Sequence, residues 1–527
     1  MSNMSGKPQI GKDVIESLTL GMYEDCRFIY REYIQNAADA IDKAVSEGLM
    51  EKSHNQIMVS IDSEKRRIVI EDNGTGISRK NVANILLNIA HSTKQRGVDK
   101  GFRGIGRLGG LGYCSTLVFE TSYFGEAEKS IMIWDAELLK NIINDRDTHQ
   151  EAVDVLQEVT NIQYEAESIE SHYFKVTLED VTTDELLDVE YIRDYLSMVA
   201  PVDIESKFLF RSKINRYMKE NGLSLDIYNI YINSDQIFKP YTSCIYEDNK
   251  GGKKKTDEIR DIEFLIRKDE QSDELIYWGW YTISGLRGQM KSKNLARGIR
   301  LRKENIQIGD EEICKKFFVK TEDQRFSFYF FGEIHAVSKG LIPNSRRDYF
   351  GESDTLKKFE RLIREDFCKL KDLCYDASKY RNAQNTIAKT EEIRQEIQKK
   401  EEEGYTSTTE KETLQKKLEE HQKKDVEARK QLERIQKKME ESNSPLLQHL
   451  SQLTDTPVVK ESKPTTDTDI QTQPSTKTKY RTDGPKYSSY DKKAKKLISR
   501  IYESIKNYLP EGMSEPLIQK IEEDLTR

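Results

Sequence analysis

The chain is 527 residues long with a formal net charge of −7, and 36% hydrophobic residues stand against 33% charged ones. One core rarely outgrows ~250–300 residues, so several domains are expected, and the low apolar share means that part of the chain is extended, coiled or disordered. The acidic balance argues against general coating of polyanions, and the six cysteines and seven histidines are too scattered for a disulfide framework or a zinc site. With no apolar leader and no run of about 18 apolar residues, the expectation is a reduced, cytoplasmic protein with no membrane contact.

Residues 12–28 read as a short helix and an approach segment, with Val14, Ile15, Leu18 and Leu20 apolar. A longer helix follows from Ile29 to about Gly48, where glycine is a ready stop. Residues three or four apart on a helix are neighbours. Glu32, Asn36, Asp39 and Lys43 therefore form one polar row, while Ile29, Tyr33, Ala37, Ala40 and Ile41 have core spacing. Taken alone, such a row fits a solvated face with an acid–lysine pair as well as it fits a site. Two alternating stretches, 56–62 and 67–72, joined by the charged turn 63–66, predict a β-hairpin. Its second strand runs into Asp72-Asn-Gly-Thr-Gly-Ile77. That is either an Asn-Gly turn or a place where bare backbone approaches a flat ligand beside a carboxylate.

A helix is expected over 79–90, followed by His91, Ser92, Thr93 and Lys94. Residues 97–112 then hold seven glycines in sixteen, too many for a helix or strand interior. Such a run is a flexible linker or a loop whose amides cradle an anion. Its companions are Phe102, Ile105, Leu108 and Leu111 rather than serine and glutamine, which favours an ordered, mobile lid. The apolar stretch 116–122 has the character of a central strand.

Polar-row helix, Asp-x-Gly-x-Gly turn and glycine-rich lid, in this order, resemble the GHKL nucleotide-binding superfamily. Its members include the 90-kilodalton heat-shock chaperones, MutL, gyrase B subunits, histidine kinases and MORC proteins. Arg31–Lys43 is similar to the chaperone pattern Arg-Glu-x-Ile-x-Asn-Ala-x-Asp-Ala-x-Asp-Lys, and Ile105–Ser115 to the lid with one extra residue. The resemblance implies a Bergerat-type α/β sandwich over residues 1–185 that binds ATP and Mg²⁺. It makes Asn36 the metal ligand, through an amide oxygen suited to a hard cation. Glu32 becomes the base that orients and deprotonates water beside the γ-phosphate. Asp72, with Gly74, Gly76 and Ile77, would accept the adenine amino group, and Asp39 and Lys43 would lie at the rim. Ser92, Thr93, Lys94 and the backbone of Gly104, Gly106, Arg107, Leu108, Gly109, Gly110 and Gly112 would hold the phosphates. One departure is visible: His172-Tyr-Phe-Lys-Val-Thr puts Phe174 where the family carries a threonine.

From 186 to 352 a helix stopped by Pro201 and strand-like stretches at 227–232, 262–266, 275–283 and 325–335 predict an α+β domain, resembling the transducer of the chaperones and MutL. Phosphoryl transfer gains most from a cation aimed at the γ-phosphate. Two candidates stand open. Pro343-Asn-Ser-Arg-Arg-Asp348 resembles the chaperone arginine loop and nominates Arg347, the better-preserved pattern. Gln289-Met-Lys-Ser-Lys293 faintly resembles the gyrase and MutL lysine loop and nominates Lys291. The basic stretch 287–303 is either a nucleic-acid contact, which makes DNA a candidate partner, or a basic-faced strand packed on the core.

Residues 353–442 carry two apolar seams broken at Gly404, with a capping-box start at Ser407–Glu410, and predict an antiparallel helical hairpin or coiled coil. A Ser/Thr/Pro/Lys-rich linker (443–490) and a small helical module (491–527) complete the expected α+β architecture. The combination implies an ATP-driven clamp that dimerises through its ATPase domains. Chaperone-like action on a protein client and a MORC-like DNA or antiviral-defence role both fit, with the hairpin and the terminal module as docking elements. A non-hydrolysing nucleotide sensor is the alternative. A histidine kinase is not expected, because its phosphoacceptor helix should precede the ATPase domain and only some twenty residues do so.

Overall fold

The computed structural model describes residues 11–19, 25–88, 106–145, 147, 150–249 and 252–441, with scattered positions between 487 and 522. Its chain order begins α1 (Asp13–Thr19), α2 (Phe28–Ser46), β1 (Ile57–Asp62), β2 (Arg67–Asp72) and α3 (Arg79–Leu86). It continues with β3 (Thr116–Ser122), β4 (Glu128–Asp135), α4 (Ala136–Asn144), α5 (Ala152–Glu158), β5 (Thr160–Ala166) and β6 (Tyr173–Glu179). Alternation in β1 and β2 sends Ile57, Val59, Ile61, Ile68 and Ile70 inward, where they bury against Ile29, Tyr33, Ala37 and Ile41 of α2. Asp72 falls on the same inward parity at the end of β2, so the pattern that builds the core also delivers a carboxylate to it.

After α6 (Val189–Val199) and α7 (Arg211–Glu220), β7 (Ile230–Ile232) and β8 (Asp235–Gln236) return to the first sheet. Among the described residues that sheet has the order β5-β4-β3-β6-β2-β1-β7-β8. β7 lies parallel to β1, with Ile57 opposite Ile230. Two asparagines extend the pairing beyond the backbone. Asn233 receives Ile61 N on its Oδ1 (2.7 Å) and donates from Nδ2 to Ile61 O (3.0 Å), and Asn229 N donates to Asn55 Oδ1 (2.7 Å). The sheet therefore runs past the expected boundary at residue 185. Of residues 227–232, read as a strand of the second domain, 230–232 form β7 and belong to the first sheet instead. Three residues are too short to carry their own alternation signal, and the side-chain amides that hold them are read only in three dimensions.

The second sheet, in the order β11-β12-β15-β13-β14, follows the separate hairpin β9 (Cys244–Asn249) and β10 (Gly252–Glu258). Its strands are β11 (Asp261–Lys268), β12 (Leu275–Ile283), β13 (Gly298–Lys303), β14 (Ile306–Ile308) and β15 (Phe331–Ala336). Residues 325–329, expected to open a strand, belong instead to the 3-10 turn Thr321–Tyr329, and β15 starts only at Phe331. At the sheet's centre Glu333, wholly buried, accepts from Lys239 Nζ (3.1 Å) and Tyr241 Oη (2.8 Å), forms an ion pair with Arg302 Nε (2.6 Å) and faces His335 Nε2 (3.0 Å). The Arg302 and Lys239 charges hold the Glu333 carboxyl well below its ordinary range against the opposing effect of burial. Burial pushes the His335 imidazole down to about 4. Arg302 Nη2 also donates to Met198 O at 2.7 Å, tying the second sheet to the end of α6.

α8 (Asp354–Glu403) is capped by Ser353, whose Oγ accepts Leu356 N, and anchored to the sheet by Asp366, which accepts from Tyr277 Oη (2.8 Å) and Arg267 Nε (3.0 Å). α9 (Thr408–Glu441) returns antiparallel, as shown by the pairs Lys400–Glu410, Thr390–His421 and Lys438–Asp376. Its inward row is Leu414, Leu418, His421, Asp425, Ala428, Leu432 and Ile435, the seam expected from the heptad spacing. The contacts divide the chain into Met1–Thr456 and Pro457–Arg527. In the latter, Tyr487, Ile498, Tyr502 and Ile518 form a small buried cluster. Apart from Tyr487, the expected linker 443–490 lies outside the described residues. Among those described, no helix is long and apolar enough to cross a membrane.

Candidate functional site

The helix α2 is held on three sides. Tyr30 Oη donates to Leu186 O (2.6 Å), Tyr33 Oη donates to Arg107 O (2.9 Å), and Asp42 Oδ1 accepts from Tyr228 Oη (2.7 Å). Its polar row is split in character. Glu32, Asn36 and Asp39 are half-buried, whereas Lys43 is exposed and pairs outward with Glu47 at 3.7 Å.

At one end of the row lies the turn after β2. Asp72, 4% exposed, accepts Gly74 N on its Oδ1 at 2.8 Å, and Thr75 N donates to Ala40 O at 3.2 Å. A Cβ on Gly74 would stand 2.6 Å from the Cβ of Ala40, and Gly76 (φ +63°) presses against Ser122 O. Both positions need glycine, the first for close approach to the helix and the second also for its left-handed backbone. The turn is tied from behind: Ile77 N donates to Thr121 Oγ1 (2.8 Å), Thr121 Oγ1 donates to Tyr173 O (2.9 Å), and His172 Nδ1 meets Gly74 O (2.8 Å). Phe174 stands opposite both Asp72 and Thr121 in register and stacks on Phe119 with ring centres 5.8 Å apart.

At the other end lies Glu32. A Cβ built on Gly106 would fall 2.2 Å from Glu32 Oε2, so bare backbone rests directly on the carboxylate. Residues 106–112 form a 3-10 turn, with Gly109 against Phe28, Gly110 against Tyr33, and Leu108 wholly buried. Burial of the Arg107 guanidinium, whose Nη2 donates to Asn88 O at 2.6 Å, lowers its pKa to about 10. Of the glycines expected at the phosphates, Gly106 borders Glu32, whereas Gly109 and Gly110 are used for packing. Ser92, Thr93, Lys94 and Gly104 lie outside the described residues. Ala40 and Glu32 are eight residues apart, about 12 Å along the helix, the scale of a nucleoside triphosphate.

The second sheet's neighbour loop completes this end. Arg347 is 5% exposed in the left-handed region (φ 53°), and its carbonyl accepts Gly309 N at 2.8 Å. Burial lowers its pKa, while Glu32 and, more weakly, Glu304 and Asp39 raise it against the effect of Arg31. Arg31 Nη2 donates to Arg346 O (3.1 Å) and lies 3.7 Å from Glu32 Oε1. The arginine loop thus sits on α2 within one chain.

Lys291, in contrast, is exposed on a loop fixed by Met290 N to Phe328 O (2.9 Å). The basic stretch around it is largely internal. Arg302 is paired to Glu333, Lys303 donates to Val337 O and Ser338 O, and Arg300 donates to Leu295 O, leaving Arg287, Lys291 and Lys293 exposed. Sequence reasoning did not single out His172, Thr121 or Arg31. Their contacts span strands and loops far apart in the chain and have no local pattern.

Residues 26–167 match the family described as Histidine kinase-, DNA gyrase B-, and HSP90-like ATPase. The Chaperone protein HtpG of Ehrlichia ruminantium (strain Gardel) is 35% identical over 97 residues, 17% of this chain and 15% of that protein. That of Anaplasma marginale (strain St. Maries) is 32% identical over 136 residues, 23% of this chain and 21% of its own. The matched segments thus span about a fifth or less of these relatives. Residues 26–167 are thus similar to GHKL-type ATPase domains, and in particular to the corresponding part of the HSP90-like chaperones.

Proposed function

We propose that the chain binds ATP between the Asp72 turn and Glu32 and hydrolyses it slowly, with Arg347 as the cation at the γ-phosphate. The observation that carries this reading is that Arg347 is buried within electrostatic reach of Glu32, on a loop whose Arg346 carbonyl is held by Arg31 of α2, while the Asp72 turn packs on the helix's other end. Asp72 accepts the adenine amino group, which selects adenine over guanine. Glu32 takes the proton of the attacking water as its oxygen bonds to the γ-phosphorus and the bond to the β-bridging oxygen breaks. Arg347 offsets the charge that grows on the transferring group, and its burial makes that charge effective. Asn36 fits as the single protein ligand of Mg²⁺, an ion that keeps most of its waters and neutralises phosphate charge when bound.

The biological output in this reading is a dimerising, chaperone-like or MORC-like clamp. The long α8–α9 hairpin supports a partner-binding arm. DNA rests on the three exposed cations alone. Steady-state ATP turnover and nucleotide affinity of the wild type, Glu32→Ala and Arg347→Ala test the proposal. Turnover in the wild type, and binding without turnover in Glu32→Ala, are expected. Binding without turnover in the wild type refutes the hydrolase. It would leave a nucleotide-sensing scaffold, the reading favoured by Phe174 standing beside Asp72 in place of a hydroxyl.

A further inference from the structure

We infer that His172 is a positioning residue for the base end of the site, holding the Asp72–Ile77 turn in its binding shape through the Gly74 carbonyl. The inference rests on the nucleotide reading of that turn. Gly74 cannot be fastened by a side chain of its own, because a Cβ there would meet Ala40 and Asp72. Its amide is already committed to Asp72 Oδ1, which leaves its carbonyl as the free handle. His172 Nδ1 takes that handle at 2.8 Å from 98 residues away, just ahead of β6. A carbonyl only accepts, so Nδ1 must carry the hydrogen.

The alternatives nearby are spent. Thr121 Oγ1 accepts Ile77 N and donates to Tyr173 O, and Phe174, next to Asp72 in register, has no polar atom to offer. Asn73 is turned the other way, accepting Gln56 N and donating to His54 O. The turn is thus tied at four points: Asn73 to the approach of β1, Thr75 to Ala40 O of α2, Ile77 to β3, and Gly74 to the start of β6. Only the last lies on the residue whose amide orients the Asp72 carboxylate. Losing it removes one of the two hydrogen bonds on the Gly74–Thr75 peptide, the other being Thr75 N to Ala40 O, and loosens the Gly74 amide that helps aim Asp72 Oδ1. The chemistry at Glu32, two helical turns away, is not touched.

Full-length wild type, His172→Leu, His172→Gln and His172→Asn should be compared by titration calorimetry with ATP and Mg²⁺, and by ATP turnover. The Asn amide nitrogen overlies Nδ1, whereas the Gln amide reaches to the Nε2 position. One lost hydrogen bond predicts about tenfold weaker ATP binding in His172→Leu and His172→Gln, with KM raised to match and kcat within about twofold. His172→Asn recovers most of the affinity. Inorganic triphosphate, which lacks the base, binds all four proteins alike. Wild-type affinity in both His172→Leu and His172→Gln overturns the inference, as does equal weakening in all three variants or a fall in kcat with KM unchanged. Should His172→Leu not fold, His172→Gln against His172→Asn decides on the same terms. A wild type that binds no ATP refutes the nucleotide site, and this inference with it.

Discussion

Gly106→Ala separates folding from chemistry at this site. The new methyl carbon would stand 2.2 Å from Glu32 Oε2 and 2.9 Å from its Cδ. Comfortable contact begins at about 3.5 Å, so the carboxylate must retreat by roughly 1 Å. Because the obstacle is the far end of a flexible side chain and Gly106 is outside the left-handed region, the fold can absorb the change at little cost. A base displaced by about 1 Å is worth on the order of 100-fold in rate, or about 2.7 kcal/mol of barrier. The expected result is a kcat near 1% of wild type, an unchanged thermal midpoint, and ATP affinity within a factor of about two. Gly76→Ala is the control. Its Cβ would lie 1.9 Å from the Ser122 carbonyl at φ +63°, a backbone obstacle that cannot swing away, so that variant should lose nucleotide binding itself. Steady-state turnover with calorimetric affinity measures both. Wild-type kcat in Gly106→Ala would refute the placement of Glu32 as the base.

Three further outcomes are expected. Arg347→Ala should lower kcat by about 100-fold or more while Lys291→Ala leaves it near wild type, since Arg347 is buried among the charges of α2 and Lys291 is exposed. A loss of turnover in Lys291→Ala instead would reverse the assignment. His335 has a folded pKa of about 4, below its unfolded value near 6.5, so the unfolded chain binds the extra proton between these limits. The stability contribution is present above about pH 6.5 and lost as pH falls toward 4, about 3 kcal/mol in all. Denaturant titrations should show that limb flattened in His335→Gln. In the hairpin seam Asp425 is buried with Oδ1 unpartnered and Oδ2 bound to Arg429 Nε at 2.8 Å. Asp425→Leu should raise hairpin stability by about 1–2 kcal/mol in thermal unfolding followed by helical signal.

Much of the site was legible because its parts are local. Glu32, Asn36 and Asp39 are one helix face, Asp72, Gly74 and Gly76 are one turn, and Leu414 to Ile435 are one seam. Helical periodicity and glycine placement are properties of a few consecutive residues, so a sequence carries them in plain sight. The tertiary structure decided the contacts that join distant segments. It buried Arg347, 315 residues beyond Glu32, within electrostatic reach of that carboxylate, turned Arg302 inward onto Glu333, and returned residues 230–236 to the first sheet. It also set His172 on the Gly74 carbonyl. The physical reason is the same in each case. Whether an arginine is a surface charge, a buried ion pair or a cation aimed at a site depends on what packs against it, and packing partners have no spacing rule along the chain.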